Sequence, residues 1–168
     1  MVRLSFAVRP PEDVVSVLSA MPRPQTENVV WSRPEQWIVK LRPLGHVPVA
    51  FQQPLIEAVQ GEVDGAEPVR VSLGPVTQRL AGQWLGVPVA GLDELAELVF
   101  ASTAAIVPVT HPQPFRADLV LARGRVPKDL AGVEVRADWT VTELLLVADH
   151  SAPGRPRLDD LARIRLAP

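Results

Sequence analysis

The sequence predicts an α+β fold in two similar lobes whose sheets face each other across a groove. Three observations carry this. Two short segments with strand-like alternation, residues 37–41 (WIVKL) and 117–121 (ADLVL), fall in different halves of the 168-residue chain, with Ile38 and Asp118 lying 80 residues apart. Strands and helices around them follow in mixed order rather than in strict strand–helix–strand alternation, which argues against a doubly wound parallel sheet. The 18 prolines mark many fixed turns, and no stretch is long enough to link independent units, so residues 1–168 read as one domain.

Taken in order, residues 4–8 form a first strand that Pro10 and Pro11 stop. Pro11, Glu12 and Asp13 suit the first turn of a helix, and Val14, Val17, Leu18 and Met21 recur at helical spacing toward a core. Residues 29–31 form a short strand before a turn at 32–35. The strand at 37–41 ends at Pro43 and Gly45. A helix over 51–60 carries Leu55, Ile56 and Val59, and an acidic loop fills 61–68. Strands at 69–73 and 83–87 flank a Gly/Pro-rich connection. Residues 92–105 give the clearest helix, with Leu92, Leu95, Ala96, Val99 and Ile106 at a period near 3.6. A strand over 115–123, a loop to Gly132, one long strand over 139–147, a turn at 151–157 and an edge strand over 162–166 complete the chain.

Composition narrows the function classes. With 47% hydrophobic residues and 21% charged ones the chain is a folded globular protein. The absence of cysteine rules out disulfides and thiol chemistry and fits a cytoplasmic protein. Arg9, Pro10 and Pro11 interrupt the first apolar stretch, so it is not a secretory leader, and no apolar run is long enough for a membrane span. A net charge of −2, acidic in the middle and mildly basic at both ends, suits a small anionic ligand in a cleft better than a long nucleic-acid footprint. There is no glycine-rich phosphate loop, zinc motif or nucleophile elbow, so neither a metal nor a cofactor is expected.

A series of segments in register resembles a known family. LSFAVRPPEDV is similar to its opening strand and helix start, WSRPEQWIVKLRPLGHV to its first motif region, and WLGVPVAGLDELAELV to its central strand and helix. FRADLVLAR is similar to its second motif, and WTVTELLLV fits a late strand. The family is the two-histidine (2H) phosphoesterases, in particular the bacterial RNA 2′,3′-cyclic phosphodiesterase or 2′–5′ RNA ligase (LigT-like) group. The resemblance runs nearly end to end. It implies two lobes, each an antiparallel sheet with helices on its outside, around a central groove that holds a phosphate, with two motif histidines as general acid and base and two motif threonines on the phosphate oxygens. Imidazoles suit both proton transfers because they titrate near neutrality.

Carried over residue by residue, the histidine positions are Ile38 and Asp118, and the threonine positions are Lys40 and Val120. All four have changed. Isoleucine moves no proton and valine offers no hydroxyl. The resemblance therefore implies a catalytically degenerate member whose groove keeps at most binding of a nucleotide, an RNA end or a phosphate. One alternative is an active phosphodiesterase with a displaced acid–base pair, for which Asp118 or a His46/His111 pair are the candidates. Another is an interaction scaffold whose groove is filled, with Lys40 salt-bridged to Asp118.

Four cations are candidates for holding phosphate: Lys40, Arg42, Arg116 and Arg123. Strand alternation puts Arg42 on the face of Ile38 and Lys40, and Arg116 on that of Asp118. His46, His111 and His150 read as residues of surface connections. Trp37, Trp84, Trp139 and Phe115 read as core, while Trp31 or Phe51 could stack on a base.

Overall fold

The computed structural model describes residues 1–81 and 83–167. In the first strand, β1 (Val2–Val8), Leu4, Phe6 and Val8 enter the main core while Arg3, Ser5 and Ala7 face the opposite side. Helix α1 (Glu12–Ser19) buries Val14 and Leu18; Val17, expected to face the core, sits at the edge of that stripe and is 40% exposed. Strand β2 (Val29–Trp31) and a 3-10 turn at Pro34–Gln36 lead into β3 (Val39–Val47).

Strand β3 does not end at Pro43 and Gly45. Beyond Val39 its only strand neighbour is β1, so the missing N–H of Pro43 costs no ladder bond on the open side. Two shifts in the β1–β3 register make Leu41 and Leu44 extra residues, and these bulges let the strand run on.

Helix α2 (Gln52–Val63) buries Leu55, Val59 and Val63. It continues through Gly61, where the sequence suggested a loop, because the added turn brings Val63 onto the buried stripe. Strand β4 (Val69–Leu73) follows, then β5 (Gln78–Leu80), which lies in the expected connection, and β6 (Trp84–Ala90). Helix α3 (Asp93–Thr103) buries Leu95, Ala96, Val99 and Thr103, and β7 (Asp118–Gly124) carries the second motif segment. The long strand expected over 139–147 is two, β8 (Ala137–Val141) and β9 (Glu143–Asp149). The break is Thr142, whose carbonyl accepts the N–H of Leu166. Strand β10 (Leu158–Arg165) is an edge.

All pairings are antiparallel, in the order β10-β9-β1-β3-β7-β6-β4-β8, with β2 on β7 and β5 on β6. The two expected lobes are thus halves of one curled sheet, joined where Val39 pairs with Leu119. The halves do not follow chain order: β1 and β3 are completed by β9 and β10, while the other half is β4, β6, β7 and β8. The helices cross over. Helix α1 follows β1 yet packs on β8, and α3 follows β6 yet packs on β3. One apolar cluster takes residues from both halves, and a small one, Ala7, Ile38, Leu145 and Val147, lies on the other face of the sheet.

Candidate functional site

Strand parity decides which side chains reach the groove. Pairing of Val39 with Leu119 sets Lys40 across from Asp118 and Ile38 across from Val120. The four motif positions therefore meet at the seam between the halves, and all four line one open cavity of about 1040 Å³. Ile38 packs on Ala7, Leu145 and Val147, so the first position that the resemblance assigns to a histidine is part of an apolar wall. The groove stays open despite this.

Lys40 and Asp118 do not fill it by pairing: among the described residues neither makes an ion pair or hydrogen bond with the other. Burial lowers the Lys40 ammonium from the usual lysine range, the charges of Arg3 and Arg123 lower it further, and Asp149 opposes them. Burial raises the Asp118 carboxyl, against the pull of Arg116. Burial also acts upward on Asp149, but hydrogen bonds from Ser151 and the charges of Arg3 and Lys40 outweigh it and leave that carboxyl below the ordinary range. The Ser151 N–H donates to Asp149 Oδ1 at 2.9 Å.

Arg42 is not on the face of Lys40. The bulge at Leu41 places it opposite Phe6, whose side chain enters the core, while Lys40 sits opposite Ala7. Arg42 is 3% exposed, donates to Thr103 Oγ1 at 2.6 Å and to the Val107 carbonyl, and lies 5.2 Å from the Phe100 ring centre. It is a structural cation at the end of α3, and burial lowers its proton affinity.

A bulge in β7 has the reverse effect. Leu85 pairs with Ala122 and Gly86 with Val120, so Leu121 is extra and Arg123 turns to the groove face of Asp118 and Val120. Its guanidinium stacks 4.8 Å from the Trp84 ring. Trp84, expected in the core, is 40% exposed and lines the cavity, because β6 turns Leu85, Val87 and Val89 inward instead. Trp37 and Trp139 are buried. Phe115 is half-buried against the core and lines the cavity, as does the exposed Arg116.

The histidines do not assemble. His46 lies within β3, opposite Arg3, rather than in a turn, and it is outside the cavity wall; His111 is on that wall. His150 is 3.5 Å from Asp159 at an exposed strand end. Among the described residues no three His, Asp or Glu side chains gather as a metal site requires, and no helix is long and apolar enough to cross a membrane.

Sequence reasoning missed Arg3, Ser5, Ser32, Asp149 and Trp84, all on the cavity wall. Ser5 is 8% exposed and Ser32 6%, and neither hydroxyl has a partner among the described residues. The signal for the first two was legible: Arg3 and Ser5 alternate with Leu4 and Phe6, on the face away from the core.

No family model matches the chain, and no curated protein does. Solved structures do match over its full length. TT0787 of Thermus thermophilus superimposes with a TM-score of 0.84 at 21% identity, over 98% of this chain and 97% of that one. E. coli LigT complexed with 3′-AMP gives 0.80 at 21% identity, covering 99% of each chain. A structure described as a phosphoesterase gives 0.79 at 22% identity over the whole of both. With the curled antiparallel sheet, the helix placement and the groove already established, these agreements identify the architecture of this chain as the LigT-like fold.

Proposed function

We propose that the protein binds a phosphorylated ligand, a nucleotide or an RNA end, in its central groove without two-histidine hydrolysis. The carrying observation is the combination of an open cavity with three cations, Arg3, Lys40 and Arg123, none of which has an ion-pair partner within 4 Å among the described residues. Cations without an ion-pair partner attract a phosphate, most strongly at half-buried Lys40, where apolar walls limit screening, and more weakly at exposed Arg3 and Arg123. The chemistry that the sequence resemblance implies at the seam is absent, since Ile38 and Val120 transfer no proton and hold no oxygen. E. coli LigT has been crystallised with 3′-AMP, phosphate, NADP+ and ATP, which supports a ligand of this class here.

An active phosphodiesterase with a displaced acid and base is the second reading. One observation favours it: burial raises Asp118, and a carboxyl that keeps its proton nearer neutrality is a better acid catalyst.

Incubation with a short RNA ending in a 2′,3′-cyclic phosphate separates the two. The first reading expects no dose-dependent opening of the ring, and binding of 3′-AMP that falls at least tenfold in Lys40→Ala. Turnover that follows protein dose and is lost in Asp118→Asn establishes the second reading. A protein that neither turns over nor binds is an interaction scaffold.

A further inference from the structure

We infer that a phosphate is held beside the seam, on the β1 side of Lys40, by Arg3, Ser5 and Lys40 on β1 and β3; this rests on the groove-binding reading above. Three observations converge on it.

The first is the state of Ser5. Its residue is 8% exposed, on the groove face between Arg3 and Ala7, and its side chain borders the cavity with no hydrogen-bond partner among the described residues. Among the described residues its hydroxyl is not one of the buried polar atoms left without a partner, so Oγ opens to the cavity and is free to donate there. The second is the register. Arg3 and Ser5 alternate on one face of β1, and Lys40 stands opposite Ala7 on the same face of β3, so a guanidinium, a hydroxyl and an ammonium share one stretch of wall. The cations are close enough for Arg3 to depress Lys40. Two cations that repel each other, with a donor between them, are relieved by an anion.

The third concerns what surrounds them. Toward the seam the wall is Ile38 and Val120, which offer a phosphate nothing, and Asp118, which repels it. On the other flank Asp149 pairs with Arg3 in the β1–β9 register. Its Oδ1 accepts the Ser151 N–H, and it forms no ion pair with Arg3 within 4 Å. His46 lies opposite Arg3 on β3, exposed and beyond the cavity. The site thus sets two cationic side chains against Asp149, already engaged with its own loop, and Asp118, whose carboxyl burial biases toward the neutral form. A terminal phosphomonoester fits this set: its oxygens can take the Arg3 fork, the Ser5 hydroxyl and the Lys40 ammonium together, while an internal diester offers fewer free oxygens.

The test measures equilibrium binding of inorganic phosphate and of 3′-AMP to the full chain and to Ser5→Ala, Arg3→Met, Lys40→Ala and Arg123→Met. Loss of one hydrogen bond to a charged ligand weakens binding about tenfold. Ser5→Ala and Arg3→Met should each weaken inorganic phosphate about that much, Lys40→Ala at least as much, and Arg123→Met, whose charge reaches Lys40 from across the groove, less than any of these. Arg3 is exposed, so Arg3→Met keeps its fold and the test stands if Ser5→Ala melts early. Phosphate binding that ignores Ser5 and Arg3 but collapses with Lys40 and Arg123 overturns the site beside the seam and leaves the groove reading intact. A wild-type protein that binds neither probe overturns both.

Discussion

Arg42 and Lys40 are two residues apart and do opposite things. The Arg42 guanidinium sits just past the C-terminal end of α3, donating to the Thr103 hydroxyl and the Val107 carbonyl, a place that favours a cation. Arg42→Met removes two hydrogen bonds and the Phe100 stack, and should cost about 1–3 kcal/mol in urea denaturation while leaving phosphate affinity unchanged. Lys40 and Asp118 instead weaken the free protein. A lysine held below its ordinary range penalises the native state at every pH where it is charged, and the penalty lifts only as pH rises toward the unfolded value. A carboxyl held above its range penalises the native state from the ordinary carboxyl range upward, in full once pH has passed the folded value. Both penalties are present at neutral pH. Lys40→Met and Asp118→Asn should therefore each raise Tm at pH 7 without ligand by about 1–4 °C. The gain from Asp118→Asn should vanish in acid, below the ordinary carboxyl range. Asp149 has the other sign: its depressed carboxyl stabilises at neutral pH and that support is lost as pH falls through its folded value, so Asp149→Asn should lower Tm at pH 7 and not in strong acid.

At the scale of elements, the groove's composition is set by two extra residues. Alternation read from WIVKLRPLG assigns Arg42 to the groove face, and the bulge at Leu41 turns its guanidinium to the end of α3, on the border of the cavity; alternation through ADLVLAR points Arg123 away, and the bulge at Leu121 brings it in. Neither bulge is legible in a run of leucines and valines, because the pattern cannot say which apolar residue is supernumerary. The same limit hid the break between β8 and β9, since VTELLLV favours strand throughout and a hydrogen bond from Leu166, distant in sequence, fixes the corner. The helices, β1, β4 and the motif strands were legible because their burial follows from local spacing. Gly124, directly after Arg123, has φ +109°, and a Cβ there would lie 2.0 Å from the Asn28 carbonyl oxygen. Gly124→Ala should separate β2 from β7 and cost about 2–4 kcal/mol, read by urea denaturation together with loss of the Trp84–Arg123 stack in near-ultraviolet dichroism.

For the molecule as a whole, the LigT-like fold was legible from the ordered series of segments, whereas the crossing of the helices was not, because no local pattern says which half a helix will cover. With α1 on β8 and α3 on β3, each half lacks part of its cover without the other. Unfolding should accordingly be one cooperative event, with fluorescence of buried Trp37 and Trp139 and far-ultraviolet dichroism giving the same urea midpoint. Separate transitions would mean two independent units.

The return of the chain to its first strand has a consequence for how the protein is made. As the polypeptide emerges, β1 meets β3 early, but its other neighbour is β9, Glu143–Asp149. Residues 69–141 meanwhile supply the strands of the opposite half except β2, which precedes β3. That later half can close while β1 still has one bare edge. The wall bearing Arg3 and Ser5 gains its second flank only after Asp149 has left the ribosome, so translation begins the binding groove first and completes it last.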